Sequence, residues 1–274
     1  MTPFGARLVA VVRAHGPLCA GIDPHPALLA AWGLTDDTDG LDRFALTCVE
    51  AFAGQVAVVK PQSAFFERHG SAGIAVLERV LAALGESSTL TILDVKRGDI
   101  GSTMDGYADA YLRVGAPLGA DAVTLSPYLG PGSLAAAIRT AEDAGRGVFV
   151  LARTSNPEGA QVQLAALAGR TVAQVVVDDA AARNAGADPL GGTGVVVGAT
   201  RDHGLDLSAL HGPVLAPGLG AQGATPGELA GLFAGLDGVV LPAASRSVLA
   251  AGPSVARLRA AALALNEEIA AAAE

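Results

Sequence analysis

Lysine is the scarcest charge in this chain: of its eighteen Lys and Arg residues only two, Lys60 and Lys96, are lysine. Lysine is a compact donor whose proton can be given away, whereas arginine stays charged at any physiological pH. A chain that otherwise relies on arginine therefore marks two positions. Cysteine is equally sparse. Cys19 and Cys48 are too few for a disulfide framework, which fits a reducing compartment, and both are expected to be core thiols. A positive excess is absent too, since the net charge is −9. That balance argues against a broad footprint on nucleic acid or an anionic membrane, but it leaves room for a pocket that takes a small anion. No apolar run approaches the ~18–20 residues of a membrane span. The run before Arg13 in MTPFGARLVAVVRAH is shorter than the apolar part of a secretory signal. The expectation is a soluble cytoplasmic protein with no nucleic-acid or membrane partner.

What is present is a core. Hydrophobic residues make up 51% and charged residues 16% of 274 residues, enough for one large globular core or at most two small domains. Eight short apolar runs recur along the chain: 18–23, 55–60, 91–96, 121–126, 147–153, 194–198, 213–216 and 237–241. Helix-length segments precede, separate and follow them, at about 3–15, 42–53, 72–84, 102–114, 132–144, 160–184, 225–235 and 254–272. Continuous β-branched runs alternating with helices imply a parallel sheet covered on both faces. Eight units in about 250 residues match one (β/α)8 TIM barrel. An open doubly wound sheet is the alternative, weakened because no G-x-G-x-x-G follows the first run. The prediction is a single α/β TIM-barrel domain over 1–274, with 159–190 a helical elaboration that carries no motif.

The polar residues collect at one end of these runs. Asp23, Lys60, Asp94, Lys96, Ser155 and Gly-rich segments near 198 and 218 sit at or just beyond the C-terminal ends of predicted strands, the face where barrels of this kind hold their active sites. Strand alternation puts Ile92, Asp94 and Lys96 on one face. Buried charges are costly unless paired or used in chemistry, and ion pairs are poor stabilisers of a core. The group Lys60, Asp94, Lys96 and Asp99 therefore reads as an alternating network with Lys96 as general acid. A second constellation comes from VGATR (197–201), APGLGAQG (216–223) and ASRSV (244–248), which end the last three strands. Such loops commonly cradle a phosphate: Pro217 and Gly218 open the middle one, and Arg246 offers a bidentate fork. Metal ligation is weakly supported, because Asp23 with His25 and Asp202 with His203 belong to no wider cluster. No Ser-His-Asp nucleophile elbow appears.

Asp94-x-Lys96-x-x-Asp99-Ile100-x-x-Thr103 resembles the D-x-K-x-x-D-I-x-x-T signature of orotidine monophosphate decarboxylases. VVKPQSAFFE, VTLSPYLG, LARTSNPEG, VVGATR and APGLGAQGA extend the resemblance over most of the chain, toward the longer-chain bacterial (type 2) branch. The resemblance implies decarboxylation of orotidine monophosphate to UMP and carbon dioxide without a cofactor. It further implies that Asp94 faces the substrate carboxylate and that Lys96 protonates C6. Asp99 and Thr103 would reach into the neighbouring subunit's site of a homodimer. Asp23 would contact the ribose, Ser155 (or Ser126, in a similar TLSP setting) the pyrimidine, and Gln222 and Arg246 the phosphate. The D-x-K-x-x-D core is shared with related barrel enzymes, so a metal-dependent sugar-phosphate decarboxylase, epimerase or aldolase is the alternative. A nucleotide-binding regulator without chemistry would have no need of Asp94.

Overall fold

Eight parallel strands close on themselves in the computed structural model, which describes residues 1–199, 202–220 and 223–272. They are β1 (Cys19–Ile22), β2 (Val58–Pro61), β3 (Leu90–Arg97), β4 (Ala122–Leu125), β5 (Gly147–Arg153), β6 (Thr193–Val197), β7 (Gly212–Pro217) and β8 (Gly238–Ala244). Closure is direct: β1 pairs with β2 through Cys19 and Val58, and with β8 through Cys19 and Ala243. With helices outside, this is the (β/α)8 barrel that the alternation of runs predicted.

Two apolar layers hold it. Outside the strands, Phe44, Phe52, Leu77, Ile138, Val177 and Leu258 pack the helices onto the barrel. Inside, Val58, Ile92, Ala122, Phe149, Val196, Leu215 and Leu241 meet Phe4 and Leu8 of the N-terminal helix Phe4–His15. Phe4 stands edge-on to Phe149, ring centroids 6.1 Å apart, beside Gly147 at the start of β5 and Gly192 just before β6. That helix plugs the N-terminal end of the barrel. Two residues further along the same inward faces the chemistry changes, Val58 giving way to Lys60, Ile92 to Asp94 and Ala122 to Thr124. The apolar plug below thus forms the floor of a polar site above. Cys19 and Cys48 are buried and free, and no helix among the described residues is long and apolar enough to cross a membrane.

Three local readings change. The stretch 160–184 is not one helix. A short helix Ala160–Gln163 is followed by an antiparallel hairpin, Ala166–Leu167 with Arg170–Thr171, and then by helix Val172–Asn184. The Ala- and Val-rich composition hides the hairpin, whose turn is made by Ala168 (φ 51°) and Gly169 (φ 82°), the left-handed pair that matches the twist of two strands. The last strand does not stop before Pro242 but runs to Ala244, paired there with β7 and β1; proline costs one donor without leaving extended geometry. The helix predicted from 42 starts at Thr38, because Asp37 caps it by accepting the Gly40 N–H at 2.8 Å.

Candidate active site

The centre of the site is Asp94, buried at the C-terminal end of β3. Lys60 Nζ, from the neighbouring β2, donates to Asp94 Oδ2 at 3.0 Å. Lys96 Nζ donates to Oδ1 at 2.6 Å, and Thr124 Oγ1 from β4 donates to the same oxygen at 2.8 Å. Burial alone would push the Asp94 carboxyl up, but the two ammonium groups outweigh it and hold the group well below the usual carboxylate range. Burial would likewise push Lys60 down; the Asp94 and Asp23 carboxylates reverse this and raise it above an ordinary lysine. This is the signature of a paired charge rather than a stranded one.

The strand does not keep simple alternation here. Its register with β4 shifts between Leu93 and Arg97, and Lys96 adopts φ 46°, a conformation uncommon for a long side chain. The bulge is held by Thr124, whose Oγ1 accepts the Lys96 backbone N–H at 2.9 Å, and by Arg97, which donates to Glu67 at 2.5 Å. The Lys96 side chain is 45% exposed while that of Asp94 is 8%. One ammonium therefore lies at the open side of the group and the other, Lys60, beneath it. Re-aiming a side chain next to an active site is a recurrent use of bulges.

These residues line a cavity of about 800 Å³, together with Asp23, Gln62, Ser126, Ser155 and Pro217. A smaller adjoining recess of about 290 Å³ is lined by Asp23, His25, Lys60, Pro217, Gly218 and Arg246, among others. Asp23 borders both, and its Oδ1 is buried without a hydrogen-bond partner. A ligand hydroxyl would satisfy that atom, as buried acceptors generally require. Ser245 Oγ in the recess is in the same condition.

Most of the residues expected at the site thus converge. Lys60, Asp94 and Lys96 form the charge group, Asp23 joins cavity to recess, and Pro217, Gly218 and Arg246 meet at the recess. Both Ser126 and Ser155 border the cavity. Gln222 lies outside the described residues, as do Thr200 and Arg201 of VGATR. The remaining glycine of that turn, Gly198, is not in the recess: a Cβ there would lie 2.9 Å from the Ser155 nitrogen, so it is packed under the Ser155 turn instead. Asp99 does not join the lysines within this chain. Its Oδ1 accepts the Ile100 N–H at 2.8 Å, and Thr103 is exposed on helix Gly101–Tyr111. Ile100, next in sequence to Asp99, is exposed, as are Tyr128 and Leu129 in the loop after β4. Among the described residues no three His, Cys, Asp or Glu side chains gather as metal ligands.

Thr124 was not singled out from the sequence. Its signal was the alternation Ala122, Thr124, Ser126 on one face of a run whose last member borders the cavity.

A family model described as orotidine 5'-phosphate decarboxylase / HUMPS family matches residues 16–261. A relative from Salinispora arenicola, named orotidine 5'-phosphate decarboxylase, is 62% identical over 264 residues, covering 96% of this chain and 95% of its own. One of the same name from Streptomyces coelicolor is 54% identical over 267 residues, covering 96% of this chain and 95% of its own. A crystal structure from Streptomyces avermitilis, 54% identical, matches with a TM-score of 0.95 over 100% of this chain and 96% of that one. The OMP decarboxylase of Leishmania donovani matches with a TM-score of 0.78 at 29% identity, covering 99% of both chains. Fold and sequence agree, and the chain belongs to the orotidine 5'-phosphate decarboxylase / HUMPS family.

Proposed function

We propose that this protein decarboxylates orotidine 5'-monophosphate to UMP and carbon dioxide, in pyrimidine biosynthesis, with its own side chains and no cofactor. The observation that carries the reading is Asp94 held between two lysines at the wall of the cavity. The bond from C6 to the carboxylate breaks, its electron pair stays on C6, and a proton from Lys96 Nζ forms the new C6–H bond. A vinylic carboxylate has no internal electron sink, so the developing carbanion needs a placed positive charge. The half-exposed Lys96 ammonium supplies it, and Lys60 beneath Asp94 keeps the intervening carboxylate ionised. In this reading Asp94 lies against the substrate carboxylate.

The recess suits the phosphate: Gly218 allows close backbone approach and Arg246 offers a two-pronged donor, with Gln222 assigned to the same group. Pro217 lies where cavity and recess meet. Asp23, with its unpartnered Oδ1, is assigned to the ribose, and Ser155 to the pyrimidine. Asp99 and Thr103 are assigned to the site of a second subunit. The exposed Ile100, Tyr128 and Leu129 are assigned to the homodimer contact, which would cover them.

The test is direct. The protein in chelator-treated buffer is expected to consume orotidylate, followed by its ultraviolet absorbance. Absence of turnover by pure, folded protein would refute the reading, and turnover appearing only on addition of a divalent ion would refute the cofactor-free mechanism.

A further inference from the structure

The segment 159–190, between β5 and β6, carries no recognised motif, yet it forms one wall of the cavity through Val162, Gln163, Val172 and Val176. Gln163 is where this wall is tied to the barrel. Its Oε1 accepts the Thr154 backbone N–H at 3.0 Å and Arg153 Nη1 at 3.1 Å, and its Nε2 donates to Thr154 Oγ1 at 2.7 Å. The ties continue past Ser155. Thr154 Oγ1 donates to Asn156 Oδ1 at 2.7 Å, and Asn156 Nδ2 donates to Glu158 at 3.0 Å. Arg153 is buried and also donates to the Thr154 carbonyl at 3.1 Å. A Cβ at residue 159 would lie 2.8 Å from Thr154 Oγ1 and 2.9 Å from Gln163 Oε1, so glycine at this point lets the amide lie flat against the turn.

The residues on either side of Ser155 are thus fixed by one network, and one side chain, that of Gln163, joins it to the next helix. An amide that uses both an acceptor and a donor on the same residue holds that residue's orientation as well as its position. We propose that Gln163 is a positioning residue for the substrate base: it sets the 154–156 turn so that Ser155 meets the pyrimidine ring. This rests on the assignment of Ser155 to the base and adds what holds it there.

The test compares Gln163→Ala and Gln163→Glu with the wild-type protein, using UMP and ribose 5-phosphate as probes in equilibrium titrations. Glutamate keeps both acceptances by one oxygen; its other oxygen can accept a hydrogen bond from the Thr154 hydroxyl, which then turns away from Asn156 Oδ1, so the tie between helix and turn is kept while the Thr154–Asn156 tie is given up. Gln163→Ala should weaken UMP about tenfold, the effect of one misplaced hydrogen bond to the ligand, and leave ribose 5-phosphate unchanged. Gln163→Glu should recover most of that loss, to within about threefold of wild type. Unchanged UMP binding in Gln163→Ala, an equal loss for both probes, or no restoration by glutamate would each overturn the positioning role. No UMP binding by the wild-type protein would instead refute the decarboxylase reading itself, and the inference with it.

Discussion

Replacing Thr124 by valine is the most informative single change at this site, because the two side chains have nearly the same shape. Thr124 is 1% exposed, and its hydroxyl makes two contacts, donating to Asp94 Oδ1 at 2.8 Å and accepting the Lys96 N–H at 2.9 Å. The first is a hydrogen bond to a charged group, worth about 1.5–3 kcal/mol; the second, once lost, leaves a backbone N–H whose desolvation costs about 1–3 kcal/mol. That N–H belongs to the one residue of the bulge at φ 46°, so valine loosens both the orientation of Asp94 and the turn that aims Lys96. If about 2–3 kcal/mol of this reaches the transition state, kcat falls about 30- to 160-fold. The loss is expected in kcat more than in KM, since the residues assigned to phosphate and ribose lie elsewhere. Thr124→Ser keeps the hydroxyl and should stay within about threefold of wild type. Orotidylate turnover and thermal melting on both variants decide the matter. A valine variant with kcat within twofold of wild type would refute the reasoning, as would a serine variant equally impaired.

Other outcomes follow from the same charges. Lys96→Ala and Asp99→Ala are each expected to be nearly inactive, and mixing them should restore activity because one site of a mixed dimer is then native; no recovery after verified subunit exchange would count against Asp99 acting in trans. Asp94→Asn should abolish turnover and lower stability by about 3–5 kcal/mol, the usual effect of breaking a buried pair, read by urea unfolding. The Asp94 carboxyl is held below its unfolded value of ~3.9 and Lys60 above ~10.4. The stabilisation from Asp94 is therefore complete above about pH 4–5 and lost as pH falls further, whereas that from Lys60 is lost only as pH rises past ~10.4. The stability gap between wild type and Asp94→Asn should narrow below pH 4, and a gap that stayed constant down to pH 2 would contradict the pairing. Burial pushes the Cys19 thiol up to about 12 and Cys48 well above its ordinary value, so alkylation at pH 8 should track global unfolding; rapid labelling of folded protein would contradict their burial.

The barrel was legible because strands buried on both faces are written as unbroken β-branched runs, and QVAVVK or GVFVLAR admit little else. Lys60, Asp94 and Lys96 were legible for a different reason, the rarity of lysine and its placement where such runs end. The hairpin at 166–171 was not, since its alanines and leucine suit a helix, as do the glutamines on either side, and only the Ala168–Gly169 turn overrides them. Thr124 and Gln163 were hidden because their meaning lies in partners, Asp94 thirty residues earlier in one case and a turn nine residues back in the other. A threonine inside DAVTLS reads equally well as a satisfied core hydroxyl. The alternation through Lys96 also misled in detail, because a bulge cannot be read from a pattern that assumes none.

The two lysines have a consequence outside catalysis. They are the chain's only side-chain amines, one buried beneath Asp94 and the other half open to the cavity. An amine-directed reagent, whether a fluorophore ester, a cross-linker or an activated sensor surface, finds few targets on this protein away from its active site. On the proposed mechanism, tethering at side-chain amines would silence the molecules it captures, whereas chemistry aimed at an engineered surface thiol would spare them. What looks like a quirk of composition confines side-chain amine chemistry to the walls of one cavity.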